Sequence, residues 1–362
     1  MFDVLTIAAV TDELSDRVVD GRIQKVIQLD ELSYGLEVFN HGKRRMLVVR
    51  ASSQTPGLYV SDTRLTADPD QVSPLLLLLR KYARGGFVVG VEQPPLERIV
   101  RLSIAKRFFP DNRADDDEDL DNEAAELVYT HLIVELMGRH SNVILLDDEE
   151  KVMDSAKRVT PEMSRVRPIL PHRQYENPPP QTKQNPRTFN ADAARALIAG
   201  GEGKTPVTQH LVRSMNGFSP QMAHEAVFRG FGTTDLKIRD LEDTGETIQK
   251  LVDGVREIVA AMDEGHWDPS VYVEDGDVRA FAPIQLQYLD EYERESYDSI
   301  SAAIERALEA GGVQKPVRHA QRRETLVADI QNAVERADAR VRSLNEQLER
   351  AEEGDELRQR VS

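Results

Sequence analysis

The 362-residue sequence has no cysteine, so disulfides, thiolate nucleophiles and cysteine-ligated zinc or iron–sulfur sites are excluded together. Long apolar runs are also missing. The best candidate, residues 74–79 (PLLLLL), gives way to Arg80 and Lys81, far short of the ~20 residues that a membrane span needs, and no membrane partner is expected. Residues 1–4 show no basic stretch leading into an apolar segment with a cleavage site, which points to a cytoplasmic protein. Without GxSxG, Walker A or GxGxxG patterns, acyl transfer and nucleotide-phosphate chemistry lack a platform, and the expectation is a non-enzyme with no catalytic residue. The eight histidines, at 41, 131, 140, 172, 210, 224, 266 and 319, have no close metal-ligand spacing, and His131 in an apolar strand reads as a core or edge residue. No metal site and no cofactor are expected.

Positive charge is the remaining scarcity. Lys and Arg number 46 against 63 Asp and Glu, a net charge of −17, which argues against polyanion binding unless cations are gathered locally. Residues 111–126 (DNRADDDEDLDNEAAE) alone hold nine acids and one Arg, about half of the excess, and read as a solvated loop. The length allows roughly two to three domains of about 100 to 200 residues.

What is present begins with helical spacing at Val4, Ile7, Ala8, Leu14 and Val18, followed by Gly21 as a stop. Short β-type runs at 22–27, 35–39, 46–49 and 57–60 suggest an antiparallel meander. Ser73 and Pro74 look like an N-cap and first helical position, so the Leu run is expected to be a buried helix ending at Gly85-Gly86. Further β-type runs at 87–91, 98–104, 127–137 and 142–146 make residues 1–176 an α+β domain, an antiparallel β-sandwich or barrel with packed helices. Prolines crowd residues 177–190, which read as an extended linker. Residues 191–265 turn helical, with a helical hairpin about Asn216-Gly217-Phe218 in the manner of a helix-hairpin-helix domain. Residues 266–312 return to β character before another helix; they either complete the first sheet or form a small cap. From 316 to 362, Val327, Ile330, Val334, Ala337, Val341, Leu344, Leu348 and Ala351 form a heptad seam, the expected start of a coiled coil whose partner segment is intra- or intermolecular.

Two groups of residues are candidates for function. Residues 135–142 (ELMGRHSN) join two apolar strands through Gly138; this is either a plain hairpin turn or an edge where Glu135, Arg139, His140 and Asn142 offer charged and amide groups to a phosphate or base edge. Residues 151–173 hold Lys151, Lys157, Arg158, Arg165, Arg167 and Arg173 against Asp154 and Glu162, a local +4 that is either a solvated face or, together with Lys43-Arg44-Arg45, Arg80-Lys81 and Lys106-Arg107, a phosphate-contacting surface. Gly217 could set backbone N–H groups against a phosphate at a helix start, or simply turn the chain.

The ELMGRHSN run resembles the signature of the NFACT amino-terminal domain. Phe2-Asp3 ahead of a helix, Val72-Ser73-Pro74, Asp154-Ser155-Ala156-Lys157-Arg158-Val159, Arg167-Pro168-Ile169-Leu170-Pro171, Tyr175-Glu176-Asn177-Pro178-Pro179 and the Gly217 hairpin are similar to family landmarks in the expected order. The resemblance extends over nearly the whole chain and implies a bacterial ribosome quality-control factor of the RqcH type. Such factors bind the large ribosomal subunit that carries a stalled peptidyl-tRNA and bring alanyl-tRNA for carboxy-terminal alanine tailing, with bond formation left to the ribosome. On that resemblance the tRNA-handling residues are Asp3, the pair Glu97-Arg98 and the triplet Glu135-Leu136-Met137. Glu97 stands where the family pattern has Asp. Relatives labelled fibronectin-binding suggest a surface adhesin as a rival reading. The fold kinship with Fpg-type glycosylases suggests a nucleic-acid enzyme, although the chain opens Met1-Phe2-Asp3 and not with the Pro-Glu of that chemistry.

Overall fold

In the computed structural model, residues 2–108 and 126–311 are described. Most of the acidic stretch and all of the heptad seam lie outside them. Among the described residues the chain opens with helix α1 (Val4–Arg17), whose N-cap Asp3 accepts a hydrogen bond from the Thr6 N–H. Strands β1 (Arg22–Asp30), β2 (Ser33–Asn40), β3 (Lys43–Arg50) and β4 (Gly57–Ser61) follow as a meander. Helix α2 (Pro74–Tyr82) then carries the chain back, so that β5 (Phe87–Glu92) pairs with β1 and not with β4. A second meander runs through β6 (Ile99–Phe108), β7 (Glu126–Glu135), β8 (Asn142–Leu146) and β9 (Val152–Ser155).

The result is one hydrogen-bonded series of nine antiparallel strands, ordered β4-β3-β2-β1-β5-β6-β7-β8-β9, which curves back until β3 approaches β8, so the two meanders face a shared core as the expected sandwich or barrel requires but are joined edge to edge through β1 and β5. The return through α2 is the reason, because it places the second meander on the free edge of the first. Both halves still feed one apolar core. Ile23, Leu36, Leu47 and Leu58 of the first meander and Val100, Leu102, Leu132, Val134 and Leu145 of the second belong to the same cluster. The α2 leucines divide as a helix period requires: Leu75, Leu76 and Leu79 are buried and Leu77 is 54% exposed, so the run is a one-faced helix and not a wholly buried one.

After the proline-rich segment come α3 (Ala191–Ala199), α4 (Val207–Ser214), α5 (Pro220–Phe231) and α6 (Gly245–Glu264). Helices α4 and α5 flank the Gly217 turn. They belong to a second apolar cluster with α3, α6 and Leu5 of α1, so no helix-hairpin-helix module stands apart among the described residues. Helices α5 and α6 cross closely; a Cβ at Gly254 would lie 2.1 Å from the Ala226 carbonyl oxygen.

Residues 266–311 do not extend the large sheet. They form a separate three-stranded sheet from β10 (Ser270–Glu274), β11 (Asp277–Ala282) and β12 (Glu293–Ser296), followed by α7 (Ile300–Glu309). This small sheet is a partition. Val271, Val273, Val278 and Phe281 join the core of the large sheet, whereas Tyr272, Ala280 and Ala282 join the helical core. Strand alternation sorts these side chains to the two faces, with the irregularity at Arg279 in β11 turning Val278 and Ala280 to opposite sides.

Candidate nucleic-acid interface

The segments singled out in the sequence meet at one end of the β6–β7 ladder. Ile99 is the register partner of Glu135, and the Leu136 N–H donates to the Arg98 carbonyl at 2.9 Å, which sets Glu97-Arg98 beside Glu135-Leu136-Met137. Just upstream, Leu96 holds a left-handed backbone (φ 59°), sparsely populated by branched residues. Gln93 steadies the approach: its amide donates to the Glu97 carbonyl at 2.8 Å and to the Val4 carbonyl at 3.1 Å.

Two helix starts close the other side. Asp3 is nearly buried; Oδ1 caps α1, while Oδ2 accepts from the Ser219 hydroxyl at 2.6 Å. Ser219 is itself the N-cap of α5 and accepts from the Met222 N–H at 3.1 Å. Between them Gly217 (φ 74°) packs so tightly that an added Cβ would sit 3.2 Å from Val4 and 3.3 Å from Leu96. A cleft of about 210 Å³ results, lined by Asp3, Glu97, Arg98, Met137 and Gly217, with Pro178, Pro179, Gln181 and Lys183 as a further wall. The proline-rich segment is held to the helices there: the Gln184 N–H donates to the Ser214 carbonyl and the Asn216 N–H to the Gln184 carbonyl, both at 2.8 Å.

Glu97 is half-buried, and burial raises its carboxyl above the ordinary range, with the charges of Arg98 and then Arg167 acting the other way. Arg98 is exposed and has no ion pair among the described residues.

Glu135 is placed differently. It is 1% exposed and chelated by the Arg167 guanidinium, with Nη1 3.0 Å from Oε2 and Nη2 on Oε1, while the Tyr175 hydroxyl donates to Oε1 at 2.9 Å. Arg167 also lies 5.0 Å from the Tyr175 ring centroid. Burial, then the Glu135 charge, pushes the Tyr175 hydroxyl well above its ordinary value, so it stays a donor. Leu136 is core.

Gly138–His140 is a 3-10 turn with φ 60° at Gly138, and it leaves Arg139 and His140 exposed beside each other, their side chains 2.9 Å apart. Asn142 is buried and ties β8 to the segment just after β9: Oδ1 accepts from the Lys157 N–H at 2.9 Å and Nδ2 donates to the Lys157 carbonyl at 2.8 Å. Of the expected basic surface, Arg158 is on Asp154 and Lys151 on Glu149, and burial lowers the Lys157 ammonium below its ordinary value. Arg165 is exposed without an ion pair among the described residues.

Asp3, Glu97, Arg98, Met137 and Gly217 therefore share the cleft. Glu135 and Arg167 form its support, and Leu136 and Asn142 are internal. Sequence reasoning had not assigned Tyr175, Ser219 or Lys183 to the site, although Tyr175 and the adjacent prolines fall within a family landmark.

The family model for the NFACT N-terminal and middle domains matches residues 3–360. The chain belongs to the NFACT family. Among curated proteins it is similar to the Rqc2 homolog RqcH of Bacillus subtilis (strain 168), 31% identical over 229 residues that cover 63% of this chain and 37% of that protein. The Rqc2 homolog RqcH of Streptococcus pneumoniae (serotype 2, strain D39 / NCTC 7466) is 28% identical over 189 residues, 52% of this chain and 32% of that one. The matches thus span about a third of the length of these relatives. Among solved structures, the N-terminal part of the fibronectin/fibrinogen-binding protein from Streptococcus suis superposes with a TM-score of 0.65 at 22% identity, covering 85% of this chain and 99% of that one. The fibrinogen-binding protein from Staphylococcus aureus gives 0.63 at 23% identity, covering 84% and 98%. At these identities the structures support the NFACT fold and nothing finer. No helix among the described residues is long and apolar enough to cross a membrane.

Proposed function

We propose that this chain is a tRNA- and large-subunit-binding part of a ribosome quality-control factor, which recruits alanyl-tRNA to large subunits carrying a stalled peptidyl-tRNA. Its role is positional and not catalytic. The observation that carries the reading is the convergence of Asp3, Glu97-Arg98, Met137 and Gly217 on one cleft, from four separate parts of the sequence. Arg98 is the group available for a phosphate or base edge, Glu97 a neighbouring acceptor, and the Glu135–Arg167–Tyr175 cluster the support beneath them.

Binding of labelled alanine tRNA to the purified chain across a salt series tests this. Arg98→Ala is expected to weaken binding about tenfold and to flatten the salt dependence. Unchanged affinity would sink the site assignment. The names of the streptococcal and staphylococcal relatives favour a second reading, capture of fibronectin or fibrinogen. Co-sedimentation with large ribosomal subunits, set beside retention on immobilised fibronectin, separates the two.

A further inference from the structure

Away from the cleft, the large sheet bears a row of side chains that the reading above leaves unused. Directly opposed residues on antiparallel strands project to the same face. The register pairs Phe39↔Arg44, Arg22↔Phe39, Arg22↔Phe87, Phe87↔Ala105 and Ala105↔Tyr129 therefore set six side chains in one line across β3, β2, β1, β5, β6 and β7. In order the line reads Arg44, Phe39, Arg22, Phe87, Ala105, Tyr129, and at ~4.8 Å per strand it follows the outer face of the curved sheet for ~24 Å of path. Its rings face solvent: Phe39 is 40% exposed, Phe87 48% and Tyr129 39%. Arg22 and Arg44 are exposed too, and neither has an ion pair among the described residues. Beside Phe87 a concavity of about 670 Å³ opens, with Arg22, Val89, Ala105 and Leu127 on its walls and Asp20 as the one acid among its described lining residues.

Rings that alternate with guanidinium groups suit one kind of occupant better than others. An apolar protein face would bury Arg22 between two phenyl rings without a counter-charge, which is costly. An unpaired nucleic-acid strand offers bases to the rings and phosphates to the arginines at once, whatever its sequence. We propose that this row is a second, sequence-tolerant contact, a stacking platform for an unpaired RNA strand. The choice of RNA over DNA rests on the ribosomal reading above; the platform itself rests on the register and exposure of the row. Ala105 lies six residues along β6 from Ile99, ~20 Å at strand rise, so the row crosses the β6–β7 ladder well away from the cleft.

The test uses the whole chain and two probes, a fluorescein-labelled oligouridine and labelled alanine tRNA. For oligouridine, Phe87→Ala and Tyr129→Ala are each expected to weaken binding about tenfold with the salt slope unchanged. Arg22→Gln and Arg44→Gln should each reduce that slope by about 0.7. Phe87→Trp should retain affinity and show tryptophan quenching as the oligonucleotide binds, which guards against a folding defect in the alanine variants. Parent-like oligouridine binding by the ring variants overturns the platform, even if Arg98→Ala still impairs tRNA binding and the cleft reading stands. Loss of oligouridine binding in the ring variants, with tRNA binding indifferent to Arg98, supports the platform and rejects the cleft. If the ring variants alter only the sedimentation of the chain alone, the face is a self-association surface and the inference is wrong.

Discussion

Two acid–arginine pairs stand side by side at the head of the β6–β7 ladder, and the fold uses them in opposite ways. Glu135 and Arg167 face each other with little water: the carboxylate is 1% exposed, the guanidinium side chain 14%, and Tyr175 fills a remaining acceptor site. Glu97 and Arg98 are adjacent in sequence, Glu97 half-buried and Arg98 exposed, and they form no salt bridge with each other or elsewhere among the described residues. A buried pair whose hydrogen bonds are satisfied is a fixed structural part; an arginine in water beside a half-buried acid keeps its donors for a ligand. Within the family signature Glu135 therefore contributes rigidity, while Met137 lines the cleft and the charge recognition proposed here falls to Arg98.

Removing one partner of the closed pair should have the largest effect. Glu135→Ala leaves the Arg167 charge in a site with little solvent, and the expected loss is about 3 kcal/mol of folding free energy in urea denaturation. Replacing both partners with apolar residues, Glu135→Leu with Arg167→Met, should recover most of that loss. If the single substitution is neutral, the pair is not the anchor described.

Next in size is the turn that brings α5 to the cleft. Gly217→Ala places a Cβ against Val4 and Leu96 at φ 74°, where an L residue is disfavoured, and should cost about 1–2 kcal/mol. The loss should appear in thermal unfolding and be accompanied by weaker tRNA binding, because Leu96 immediately precedes Glu97-Arg98.

The open pair should respond the other way round. Arg98→Ala is expected to change stability by no more than about 0.5 kcal/mol while it lowers tRNA affinity. A large stability loss with unaltered binding would invert the contrast between the pairs.

How much of this could be read beforehand follows the range of the interactions. Helix starts are local chemistry: Ser73-Pro74 caps α2 where expected, and Asp3 and Ser219 cap α1 and α5 by the same short-range rule. Most strands were legible from alternation, but β9 is only four residues long and carries too little pattern. The Glu135–Arg167 chelate joins residues 32 apart, and no spacing rule anticipates it. The cations of residues 151–173 look like a patch when counted along the chain; in space Arg158, Lys151 and Arg167 are engaged by Asp154, Glu149 and Glu135. The Arg44-to-Tyr129 row was invisible for the same reason, since its six members come from six strands and align only through register.

The smallest predicted effect concerns pH and Glu97. Burial raises its carboxyl above the ordinary range, so the folded chain holds this proton more firmly than the unfolded chain does. Between the unfolded value and the raised folded one, the folded state carries more protons, and stability must fall as pH rises through that window. Glu150 has the opposite sign: its hydrogen bond from Arg101 lowers its carboxyl, a contribution present above the ordinary range and lost on acidification through the lowered value. The two can therefore be told apart by window as well as by sign. Glu97→Gln should remove the decline just above the ordinary carboxylate range and leave the acid-side loss untouched, as read from urea midpoints at closely spaced pH. An unaltered profile in Glu97→Gln would mean that Glu97 is solvated like any surface acid and that the cleft does not desolvate it.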